Sequence, residues 1–106
     1  MSIEKTLRVN ELFDMYAPLL TEKQQEVIRY YFHEDLSYQE IAEILHISRS
    51  GVYDNIKRAV DLLEETERKL GFVKQTNTLI NALNKLEDKR VDKIVNEYLK
   101  GGNYES

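Results

Sequence analysis

LSYQEIAEILHISRSGVYDNIKRA, residues 36–59, reads as two short amphipathic helices joined by a tight corner. Ser37 followed three residues later by Glu40 forms a capping box, in which each side chain satisfies a backbone donor at the helix start. Ile41, Ile44 and Leu45 fall on one face at helical spacing, so a first helix is expected from Ser37 to Leu45. Ala42 stands beside that face, and a side chain this small lets a second helix cross closely. Ile47 plugs the corner, and Ser48 is placed to cap the next helix, which starts at about Arg49. Val52, Ile56 and Ala59 carry the buried stripe onward. His46 holds the corner, where such motifs usually carry Gly; His is enriched among residues at positive φ, so the turn is expected at some strain. The pattern is that of a helix-turn-helix, whose second helix commonly lies in the DNA major groove.

Similar signals organise the flanks. Thr21 and Gln24 make a second capping box, ahead of a helix reaching about Phe32 with Val27, Ile28, Tyr31 and Phe32 as its core face. Ile3, Leu7, Phe13 and Tyr16 mark an earlier helix that ends before Pro18, and His33-Glu34-Asp35 forms a polar exit from the second. The second helix of the motif is expected to continue past Ala59, because Val60, Leu63 and Leu70 extend its stripe to Gly71, a residue suited to stand just past a helix end. Phe72, Leu79, Ile80, Leu83 and Leu86 define a further helix. Val91, Ile94, Val95 and Tyr98 define the last, closed by Gly101 and Gly102. No period-two run interrupts these patterns, so the fold class is all-α. The division is a helix-turn-helix domain over residues 1–70, with its motif at 37–59, and a helical extension over 71–106 that packs on the domain or on a second subunit. A homodimer is expected, since the stripe from Val52 to Leu70 is long for one small core and two-fold proteins suit paired DNA half-sites.

Composition limits the function. The 106 residues support one compact domain or a small domain with a helical arm, and 42% hydrophobic content is enough for a core. Cysteine is absent, which excludes disulfides and thiolate chemistry and fits a reducing cytoplasm. No apolar run reaches membrane-spanning length, and the N-terminus lacks the basic and apolar blocks of a signal peptide. His33 and His46 lack companion ligands at metal-binding spacing, and no glycine-rich phosphate loop or nucleophile elbow occurs. The chain is therefore read as a non-enzyme without metal or cofactor. Its seven tyrosines are scattered over core and boundary positions of helices and form no base-stacking platform on a sheet.

Charge complicates a DNA-binding reading. The net charge is −4, whereas DNA affinity comes largely from Lys and Arg neutralising phosphates. The distribution is more favourable than the sum. Arg49 and Ser50, at the start of the second helix, are the expected base-edge readers, since Arg can grip guanine with two hydrogen bonds. Tyr53 can pack on a thymine methyl or reach a phosphate, and Lys57 and Arg58 suit phosphates further along. Asp54 repels the backbone unless it accepts from cytosine. Asp61, Glu64, Glu65 and Glu67 must point away from DNA.

Residues 19–59 resemble region 4 of bacterial sigma factors and the related response-regulator output domains: Leu20-Thr21, Gln25, Val27, LSYQEIAEIL, Ile47-Ser48, Val52 and Arg58-Ala59 carry the likeness. A sigma factor also needs a promoter-melting domain, for which 106 residues leave no room, so the chain is not expected to be one. The whole chain more closely resembles the YlxM family, from EKTLRVNELFDMYAPLLTEKQQEVIRYYFHEDLSYQEIAE at its start to the helical tail after Gly71. That resemblance implies a DNA-binding regulatory protein tied to the signal recognition particle pathway, whose genes usually lie beside those of the family. The alternative is an interaction module that binds signal recognition particle protein or RNA and does not read DNA sequence.

Overall fold

Short polar caps set where most of the helices begin. The computed structural model describes residues 2–101. The Ser2 hydroxyl accepts the Lys5 N–H at the head of α1 (Ile3–Tyr16), and Thr21 and Gln24 exchange reciprocal bonds at the head of α2 (Glu22–Ile28). Ser37 and Glu40 do the same for α3 (Tyr38–Leu45), and Ser48 caps α4 (Arg49–Leu70). α5 (Phe72–Asn84) and α6 (Lys89–Gly101) complete the described chain, which holds no strand among these residues. The all-α reading therefore stands, with both capping boxes at their expected positions. Gly102 lies outside the described residues, and Gly101 is the last residue of α6.

The core forms around α4. Val52, Ile56, Ala59 and Leu63 from this helix meet Val9, Leu12, Phe13 and Tyr16 of α1, Val27 and Ile28 of α2, and Ile41 and Ala42 of α3. The larger aliphatic and Phe side chains among these each contribute about 1.5–3 kcal/mol through removal of apolar surface from water, and the alanine methyls less. Several expected core residues lie elsewhere. Ile3 and Leu7 are 78% and 64% exposed, because α1 carries two apolar spacings and the one through Val9, Leu12, Phe13 and Tyr16 faces α4. Ile44 and Leu70 are also exposed. The buried face of α4 runs as far as Glu67 and packs within the chain on α1, α2 and α3.

Two departures from regular helix matter locally. The expected single helix to Phe32 becomes α2 followed by a π turn at Arg29–His33, where the Glu34 N–H reaches the Arg29 carbonyl at 2.9 Å. The wider turn ends at Asp35, in the left-handed region with φ 57°, and the Leu36 N–H closes on the Tyr30 carbonyl at 3.0 Å. His33, at the end of this turn, rests edge-on against Phe13 with ring centroids 5.4 Å apart.

At the other end, α4 and α5 meet at Gly71, whose φ of 66° disfavours any side chain. Glu67 ties this junction together. Its Oε1 accepts the Tyr16 hydroxyl at 2.6 Å and the Val73 N–H at 3.1 Å, and its Oε2 accepts the Lys74 N–H at 3.1 Å. A carboxylate of α4 thus serves as the cap of α5, where the helix dipole favours negative charge. Burial alone would raise the Glu67 pKa, but the Tyr16 hydroxyl and the two amide N–H groups outweigh it and hold the carboxyl below the usual glutamate range. The Tyr16 oxygen also accepts the Phe72 N–H at 3.1 Å, so three helices converge on one buried pair.

The α5–α6 hairpin extends from this junction as an arm. The molecule measures 51 × 30 × 26 Å with a radius of gyration of 16.2 Å, against about 13 Å for a compact chain of 100 residues. Only Val73 of α5 enters the main core, and Val95 of α6 is buried separately. Leu79, Leu86, Ile94, Tyr98 and Leu99 remain exposed, and Leu86 falls beyond the end of α5.

Candidate nucleic-acid interface

α3 and the N-terminal turns of α4 cross at the expected corner. His46 adopts φ 57° and ψ 43°, and its N–H and that of Ile47 both return to the Ala42 carbonyl. This left-handed residue ends α3 as a helix cap and turns the chain into α4. Ser48 then accepts the Gly51 N–H at 3.0 Å. A Cβ at Gly51 would stand 3.1 Å from the Ser48 oxygen, so glycine leaves room for the cap. With Val52 and Ile56 buried, the opposite face of α4 is turned to solvent.

That face brings the expected contact residues together. Arg49, Ser50, Tyr53, Asp54, Lys57 and Arg58 are all exposed on the first three turns of α4. Ser50 shares a hydrogen bond with Ser48 at 3.2 Å, beside the helix start. Tyr53 is 49% exposed, with its ring edge-to-face against Tyr38 at 6.0 Å. Lys57 pairs with Asp61 at 3.1 Å, which steadies the lysine and neutralises the first acidic residue behind it. The outward surface of residues 49–61 therefore carries three cations and two carboxylates.

The acidic block that follows is largely occupied. Glu64 accepts from Arg8 of α1 at 3.1 Å, Glu65 pairs with Arg68 and Lys69, and Glu67 is the buried cap described above. Glu67, which had to point away from DNA, is buried at the α4–α5 junction, where three donors compensate its desolvation.

The tyrosines are more organised than their spacing suggests. Tyr31 of the π turn stacks on Tyr38 of α3 at 5.0 Å, and Tyr38 meets Tyr53 of α4. Three elements thus contribute to one aromatic cluster beside the exposed face of α4. The signal was faint in the sequence: Tyr38 and Tyr53 lie within the motif, one on each helix, but nothing local placed Tyr31 with them.

A family model described as "Putative helix-turn-helix protein, YlxM / p13 like" matches residues 3–100, nearly the whole described chain. The chain belongs to this YlxM-like family. It is 47% identical over 88 residues to the UPF0122 protein YlxM of Bacillus subtilis, covering 83% of this chain and 80% of that protein. A UPF0122 protein of Oceanobacillus iheyensis is 42% identical over 97 residues, 92% of each chain. One from Limosilactobacillus reuteri is 53% identical over 70 residues, and there the match spans 66% of this chain and 62% of the relative. The family description agrees with the helix-turn-helix geometry and names no catalytic activity. Among the described residues, no helix is long and apolar enough to cross a membrane.

Proposed function

We propose that this YlxM-like protein is a cytoplasmic regulator of transcription that binds double-stranded DNA by placing the start of α4 in the major groove. The observation that carries this reading is the left-handed corner at His46, which sets α4 across α3 and leaves six polar or aromatic side chains exposed together. Arg49 and Ser50 are assigned to base edges, Tyr53 to a base methyl or phosphate, and Lys57 and Arg58 to phosphates. Asp54 accepts from a cytosine amine where it meets one, and otherwise disfavours the wrong base. The DNA-bound form is a homodimer joined through α5–α6, since Leu79, Leu86, Ile94, Tyr98 and Leu99 leave an apolar surface exposed on the arm and paired half-sites call for two copies.

One observation favours the alternative, an interaction module for signal recognition particle protein or RNA. Residues 2–71 hold nine basic and fourteen acidic side chains, whereas residues 72–101 hold six basic and four acidic. Acidity around the motif weakens non-specific DNA affinity. A salt titration against genomic DNA fragments, run in parallel with signal recognition particle RNA and protein, separates the two readings. The DNA reading expects selected fragments to be enriched over bulk DNA. Lys57→Ala should lower the log–log salt slope by about 1, and Arg49→Ala should lose about 1–3 kcal/mol of discrimination at one base pair. No enrichment, or variants that bind like the parent, would overturn it. Sedimentation tests the dimer: Ile94→Glu should yield monomers, and a parent already monomeric at micromolar concentration would refute the dimer.

A further inference from the structure

A cleft of about 240 Å³ opens beside the proposed DNA-contacting face of α4. Tyr31, Tyr38 and Tyr53 supply aromatic walls, and Phe32, Ile56 and Val60 close it from the core side. Size and surface narrow what fits. An apolar cavity of about 150 Å³ is large enough to hold benzene, so this one accommodates about two fused rings. A lining with three tyrosine rings suits a flat ring system, since aromatic pairs attract in offset-stacked or edge-to-face arrangements.

Charge narrows it further. Lys5 and Lys57 line the cleft with a single carboxylate, Asp61. Asp61 is paired with Lys57, while the Lys5 side chain makes no ion pair or hydrogen bond among the described residues. The Tyr38 hydroxyl is pushed above the ordinary tyrosine range by the neighbouring Tyr31 hydroxyl and by burial, with Lys5 pulling the other way. The lining therefore combines a net positive charge with phenolic hydroxyls and aromatic rings.

We infer that this cleft is a binding site for a small aromatic carboxylate of one or two rings, whose ring lies among Tyr31, Tyr38 and Tyr53 and whose carboxylate meets Lys5 and Lys57. Two of these side chains, Tyr53 and Lys57, also belong to the proposed DNA-contacting face. An occupied cleft therefore competes with DNA, and linkage requires DNA to weaken the carboxylate by the same factor. The competition rests on the DNA reading above, whereas the cleft and its ligand class do not.

The test uses the full chain, isotope-labelled for amide NMR, and titrates it with 2-naphthoate and with the neutral 2-naphthalenemethanol. At low millimolar concentration 2-naphthoate should give saturable shifts at Tyr31, Tyr38, Tyr53, Ile56 and Val60. The alcohol should bind roughly three- to fivefold more weakly, and Lys5→Gln should weaken 2-naphthoate by a similar factor. Lys5→Gln should leave DNA affinity unchanged. Absence of saturable shifts at these residues, shifts confined to α5–α6, or equal binding of acid and alcohol would overturn the site. Saturating 2-naphthoate should displace DNA from the parent protein; naphthoate binding with an unmoved DNA midpoint would overturn the competition. Naphthoate binding in a protein that binds no DNA would support the site and refute the DNA reading alone.

Discussion

The helix-turn-helix and the α5–α6 arm have similar apolar periodicity but bury it differently. Ile41 and Val52 of the motif are fully enclosed, whereas Leu79 and Ile94 of the arm are 59% and 66% exposed. The difference lies in the neighbours. α4 is flanked by α1, α2 and α3, while α6 has α5 as its principal neighbour. An amphipathic pattern establishes that a helix has an apolar face; the packing of the chain decides whether that face has a partner.

The largest expected effect tests the buried side of this contrast. Leu63→Ala should destabilise the protein by about 2–5 kcal/mol in urea unfolding, since it opens a cavity beyond the motif proper where α4 still belongs to the core. A loss below about 1 kcal/mol would mean that the core stops at Ala59.

Glu67→Ala tests the boundary between the two regions. It strands the buried Tyr16 hydroxyl and the Val73 and Lys74 N–H groups, and about 2 kcal/mol should be lost. The same carboxylate predicts a pH dependence. Its folded pKa is lowered, so its stabilisation is complete above the ordinary glutamate range and disappears as pH falls through the lowered value. Tyr16 acts in the opposite sense: burial and its bond to Glu67 raise its pKa, so its contribution holds below the ordinary tyrosine range and fades as pH rises through the raised value. Denaturation midpoints across pH should show an acid limb that is flatter in Glu67→Gln, and an unchanged limb would refute this role.

The smallest effect belongs to the arm. Leu79→Ser should change monomer stability by less than about 0.5 kcal/mol, measured at a dilution where chains do not associate. A larger loss would show that the arm is part of the domain's core.

The sequence revealed what short-range chemistry controls. Both capping boxes, the positive φ at His46, the Ser48 cap and the Val52–Ile56–Ala59 stripe are all set by residues within a few positions of one another. Spacing alone could not choose between the two apolar faces of α1, and it assigned Ile3 and Leu7 to the wrong one. The π turn left no signature in the apolar spacing, which ran on to Phe32 as in a regular helix. The capping role of Glu67 was not legible either, because its partners Tyr16 and Val73 are supplied by other helices. The six proposed DNA contacts were found together on one surface because a helix face is itself a local property. The cleft beside them joins residues from α1, the π turn, α3 and α4, so it becomes visible only in the folded chain.

The bonds at Tyr16 also bear on how the chain folds during synthesis. They span 51 residues to Glu67 and 56 to Phe72. A ribosome releasing the chain from its N-terminus exposes α1 to α3 long before these partners emerge. Until then the hydroxyl of Tyr16 must keep its water, and the helices of the motif can associate but cannot seal around it. The finished interior therefore waits for residues beyond the motif, and a chain cut short at Ala59 would leave that hydroxyl without its protein partners.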